Sequence, residues 1–77
     1  KLTKIEKSEA FLRKLGIRQV RVRTHGDIAR IEVEPHNMPL LVKRSEEIGN
    51  VLQSYGYKYV TMDLVGYKSG SMNKVLS

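Results

Sequence analysis

Arg21 and Arg23 stand two residues apart in the run RQVRVRT, separated by Val22. On an extended strand that spacing turns both guanidinium groups to the same side. Two planar five-donor forks on one surface suit a phosphate or a carboxylate. A second cluster lies in GYKSGS, where Lys68 supplies a cation, Ser69 and Ser71 supply hydroxyls, and Gly66 and Gly70 free the backbone to turn its N–H groups inward. Loops of this composition can wrap an anion. The spacing G-x-x-x-x-G-K-[ST] of a nucleotide P-loop is absent. The competing readings are structural: an ordinary solvated strand face with cross-strand Arg–Glu pairs, and a plain surface loop. His25 and His36 both fall in turns and gather no metal set, and neither G-x-S-x-G nor H-E-x-x-H nor GxGxxG occurs.

The composition agrees with an anionic partner. The chain has 77 residues and a formal net charge of +6, which favours contact with phosphate, nucleotide, nucleic acid or an acidic protein surface. Solubility alone also explains moderate net charge, so the placement of the charges decides. With no cysteine, a disulfide, a thiolate metal site and a cysteine nucleophile are all excluded from these residues. Apolar runs fall far short of the ~20 residues of a membrane span, and KLTKIEK lacks the apolar stretch of a secretory signal. The expected location is cytoplasmic, and the expected organisation is a single small domain over residues 1–77.

Hydrophobic periodicity supplies the elements that carry these residues. Leu2, Ile5, Leu12 and Leu15, widened by Phe11, form a helical stripe that ends at Gly16. No capping signal precedes Lys1 to define the start of this helix, as in a fragment cut just upstream or a disordered start. From Ile17 the period becomes two. Val20 and Val22 alternate with Gln19, Arg21 and Arg23, and after the turn His25-Gly26-Asp27 a second strand sets Ala29, Ile31 and Val33 against Ile28, Arg30, Glu32 and Glu34. The short connection implies an antiparallel hairpin. Asn37 and Pro39 read as the cap and first turn of a helix carrying Leu41, Ile48, Val51, Leu52 and Tyr55, with a restart at Ser45-Glu46-Glu47 that breaks it near Arg44. A third strand in YKYVTMDL turns Val60, Met62 and Leu64 one way, and Tyr59, Thr61 and Asp63 the other.

The order helix–strand–strand–helix–strand gives an α/β (α+β) two-layer sandwich: a three-stranded mixed sheet with two helices on one face. A right-handed crossover makes the third strand parallel to the second, and the simplest placement pairs it with the first strand. The uncovered face then carries Arg21, Arg23, Arg30, Glu32, Tyr59, Thr61 and Asp63. Tyr55 and Tyr57 fall at packing positions.

The segments LGIRQVRVRTHGDIARIEVEP and YGYKYVTMDLVGYKSGSMN resemble the C-terminal region of the LarE-type ATP-dependent sacrificial sulfur transferases, in the PP-loop ATP pyrophosphatase superfamily. The resemblance covers nearly the whole chain. It implies a parent enzyme whose N-terminal PP-loop domain uses ATP and Mg to adenylylate a carboxylate of a pyridinium mononucleotide on the way to a nickel-pincer cofactor. Sulfur would come from a cysteine or from an iron–sulfur cluster. This chain, with neither the SGGxDS loop nor a cysteine, would be inert alone and hold no cofactor. The resemblance assigns the substrate phosphate to Arg21, Arg23 and Lys68, the last an arginine in many relatives, and sets Glu9 and Glu32 near the sulfur-transfer site or a metal. The implied partners are the anionic mononucleotide, the N-terminal domain and further copies in a homo-oligomer. Two other readings remain open: a basic RNA-binding module, which the lack of an aromatic ladder weighs against, and an oligomerisation domain.

Overall fold

The computed structural model describes residues 1–68. The Ser69, Ser71 and Gly70 of the candidate anion loop lie outside the described residues. Helix α1 (Lys4–Lys14) opens with Thr3 in an extended conformation, its hydroxyl accepting from the Glu6 amide while the Glu6 carboxylate accepts from the Thr3 amide. This reciprocal capping box is legible as T-x-x-E, so the helix has a defined start inside the chain. Strands β1 (Val20–His25) and β2 (Ile28–Val33) pair antiparallel through a two-residue turn. Gly26 there takes φ +58, the conformation that the first centre of a type II′ turn requires.

Past β2, Pro35–Asn37 forms a single 3-10 turn that runs straight into α2 (Met38–Lys43). Asn37 is therefore already helical in backbone and makes no side-chain capping bond; an asparagine caps only from an extended conformation. The break expected near Arg44 is present, with α3 (Ser45–Ser54) following it. Strand β3 (Tyr59–Met62) is parallel to β2, and the sheet order is β1-β2-β3. The third strand thus pairs with β2 and not, as the simplest placement suggested, with β1. A physical reason is visible at β1's outer edge, which α1 occupies: the Glu9 carboxylate accepts from the Val22 amide at 2.9 Å. Leu64 also departs from the expected alternation. The strand ends at Met62, and Leu64 sits 78% exposed in the turn that follows.

One core unites the layers. Leu12 of α1, Leu41 of α2, and Ile48 and Leu52 of α3 pack on Val20, Val22, Ala29, Ile31 and Val33, closed off by Ile17 and Tyr57. All the helices therefore cover the same side of the sheet. Tyr57 is a packing residue, buried with its hydroxyl bonded to Thr24. Among the described residues no helix is long and apolar enough to cross a membrane.

Candidate functional site

The side of the sheet away from the helices displays the expected set. In the antiparallel register Arg21 faces Glu32 and Arg23 faces Arg30, and in the parallel register Arg30 faces Thr61. Because cross-strand partners project to the same side, these residues share the uncovered surface, opposite buried Val20, Val22, Ile31 and Val33.

The charges on this surface are unevenly engaged. Glu32, at the centre, lies 3.1 Å from Arg30 and 3.5 Å from Arg23. Arg30 also approaches Asp63 at 3.6 Å, and its Nε is buried with no hydrogen-bond partner. Two carboxylates thus hold two arginines in a closed web. Arg21 stands apart: it is exposed and has no carboxylate partner among the described residues, and its guanidinium carbon lies 5.8 Å from the centre of the Tyr67 ring. That distance is within reach of a cation–π contact.

Tyr67 arrives there through the turn after β3. Asp63 continues the ladder by donating to the Ile31 carbonyl, its side chain accepts from Val65, and its carbonyl accepts from Gly66. Gly66 takes φ +90 and lies against the end of β2, where an added Cβ would meet the Val33 carbonyl at 3.0 Å. Tyr67 then donates to that same Val33 carbonyl at 2.8 Å. Lys68, the residue after Tyr67, is exposed. Of the three expected phosphate ligands, Arg21 stands beside Tyr67, Arg23 is tied to Glu32, and Lys68 is exposed one residue beyond Tyr67.

The two acidic residues singled out from the sequence lie on different elements. Glu32 is on the uncovered surface, and Glu9 projects from α1 onto the β1 edge, where it also approaches Arg13 at 4.0 Å. Ile31 and Val33 turn their carbonyls toward Asp63 and Tyr67, on the β3 side. In the antiparallel ladder this leaves the amide of Val22, opposite Ile31, pointing outward, and Glu9 satisfies it. Strand alternation alone places Tyr59 as the sole aromatic on the open surface. Tyr67 joins it through a turn whose D-x-x-G spacing was the available signal.

Three proteins are similar over most or all of this chain. An uncharacterised protein of Synechocystis is 42% identical over 79 residues, spanning 100% of this chain and 30% of its own length. The pyridinium-3,5-bisthiocarboxylic acid mononucleotide synthase of Lactiplantibacillus plantarum is 41% identical over 76 residues, or 99% of this chain and 28% of the synthase. An uncharacterised protein of Methanocaldococcus jannaschii is 37% identical over 68 residues, covering 88% of this chain and 27% of that protein. The chain thus spans under a third of the length of each of these relatives. No family model matches it.

Proposed function

We propose, because this chain belongs to the LarE-type sulfur-transferase family and matches a C-terminal part of its members, that its open sheet corner binds the phosphate of a mononucleotide whose carboxylate receives sulfur. The observation that carries this reading is Arg21, a guanidinium with no acidic partner among the described residues, held beside Tyr67 and followed by Lys68. An exposed arginine whose neighbour is aromatic rather than acidic keeps its fork available for a phosphate. That the Lactiplantibacillus relative is a mononucleotide synthase supports a ligand with such a phosphate. Arg23 contributes charge at the edge of the site while remaining paired to Glu32.

The reading extends to a longer protein. In it, a PP-loop domain would bind ATP with Mg²⁺ and activate the carboxylate, and a cysteine or an iron–sulfur cluster would supply the sulfur. This chain would dock with that domain in a cytoplasmic homo-oligomer and provide the substrate's phosphate anchor. Glu9 and Glu32 would act near the transfer site through the strands they brace.

Calorimetric titration of the chain with inorganic phosphate and with a mononucleotide tests the anchor. Arg21→Ala removes one charge-assisted contact, about 1.5–3 kcal/mol, and should weaken binding roughly ten- to a hundred-fold with the melting temperature unchanged. Lys68→Arg should preserve or strengthen it. Unaltered binding by Arg21→Ala sinks the reading. Tighter, strongly salt-dependent binding of single-stranded RNA than of the mononucleotide would favour the nucleic-acid alternative instead.

A further inference from the structure

The uncovered side of the sheet is sorted into rows, and the row at the hairpin end takes no part in the web of charges. His25 of β1 faces Ile28 of β2, and Ile28 faces Tyr59 of β3, both pairings lying within the strands themselves. All three project to the uncovered side, because the residues beside them in the alternation turn to the helices. Thr24 bonds buried Tyr57, Ala29 is fully buried, and Val60 packs on the core.

The row is accessible. Ile28 is 38% exposed, Tyr59 is 61% exposed, and His25 is exposed as well. Among the described residues, no hydrogen bond or ion pair holds the side chain of His25 or Tyr59. Two planar rings on either side of a branched aliphatic chain make a shelf three side chains wide. The next row along the strands is Arg23, Arg30 and Thr61.

Size and charge decide what such a shelf fits. A stable protein interface takes about 800 Å² from each partner, more than three side chains provide. The same side of the sheet bears Arg21, Arg23 and Arg30 against Glu32 and Asp63, on a chain of net charge +6. A flat ring that carries phosphate gains from both features, by stacking on the row and by attraction to the arginines.

We infer that the His25–Ile28–Tyr59 row is a ring-stacking subsite for a dinucleotide whose terminal phosphate sits at Arg21. From Arg21 to His25 is four residues of β1, about 14 Å along the strand. That exceeds the reach from phosphate to ring within one nucleotide and suits two linked units. The ring of the second unit lies on Tyr59 and His25, Ile28 fills the space between them, and the linking phosphate passes the row of Arg23 and Arg30. The inference rests on the phosphate reading above.

The test is a titration of the isotopically labelled chain, followed by NMR, with adenosine monophosphate, 5′-phosphorylated diadenylate and 5′-phosphorylated octa-adenylate. Diadenylate should bind roughly five- to tenfold tighter than the monophosphate. It should also move the ring protons of Tyr59 and His25, which the monophosphate leaves in place. Tyr59→Ala should bring diadenylate down to the affinity of the monophosphate, whereas Tyr59→Phe, which keeps the ring, should retain the advantage. An advantage that survives Tyr59→Ala, or no advantage at all, overturns the stacking subsite. Octa-adenylate more than about tenfold tighter than diadenylate overturns the two-unit ligand in favour of single-stranded RNA. Diadenylate that still moves the Tyr59 ring in Arg21→Ala, at undiminished affinity, keeps the subsite and removes the phosphate anchor. If none of the three binds the unaltered chain, both fall.

Discussion

Arg21 and Arg23 share a strand, a side of the sheet and an almost identical sequence setting, yet their surroundings differ in kind. Arg23 belongs to the web in which Glu32 and Asp63 hold two arginines. Arg21, one step toward the strand's start, has an aromatic ring as company and no carboxylate among the described residues. The contrast shows that alternation along a strand selects the surface, while carboxylates on the neighbouring strands select which cation on it stays free.

The sharpest way to break the contrast is to unseat the turn that builds the free corner. Gly66→Ala sets a Cβ 3.0 Å from the Val33 carbonyl at a φ of +90. Strain of this kind typically costs about 1–3 kcal/mol, so melting should fall and phosphate binding with it, through displacement of Tyr67 and Lys68. An unchanged melt together with unchanged binding would dissociate Tyr67 from the site.

Glu9→Ala perturbs the strand common to both arginines. It frees the outward Val22 amide and should lower stability by about 1 kcal/mol, roughly 4–8 °C of melting temperature, with phosphate affinity unaltered. A loss of affinity without a loss of stability would give Glu9 a direct part in binding.

Glu32→Gln should erase the difference between the two arginines. With the shared carboxylate neutralised, Arg23 and Arg30 become available, and phosphate affinity should rise about two- to fivefold, an electrostatic gain of less than about 1 kcal/mol at such a surface. Calorimetry at low salt reads it; a fall in affinity would show that Glu32 orders the site. The smallest effect is expected for Arg23→Ala. Its pairing with Glu32 is half-exposed and contributes well under about 1 kcal/mol, so melting and phosphate binding should each change little. A loss as large as that of Arg21→Ala would place Arg23 among the primary ligands.

Much of this arrangement is legible in the residues. Alternation alone puts Arg21, Arg23, Arg30 and Glu32 opposite Val20, Val22 and Ile31, and the structure agrees. The pairing partner of β3 is not legible, because Val60 and Met62 would face the helices beside either neighbour; it depends on α1 covering the β1 edge. Leu64 looked like a strand residue because its apolar character fits the period. The Asx-type bond that the Val65 amide donates to the Asp63 carboxylate ends the strand first. For the candidate site, the three cations were visible in the sequence but their inequality was not, since Glu32 reaches Arg23 across the ladder and Tyr67 reaches Arg21 through a turn.

The Glu9 contact also gives the sheet a handed capacity for growth. At β1 a helix carboxylate fills the outward amide of Val22, so a visiting strand would have to evict a charged group before zippering there. At the other margin β3 ends the strand order, and its outward amides and carbonyls face no further strand among the described residues. Lateral accretion, whether by a flexible tail or by a misfolding chain, is therefore directed to the β3 side. One acidic residue on a helix thereby acts as a gatekeeper against fibrous association along the margin that carries Arg21.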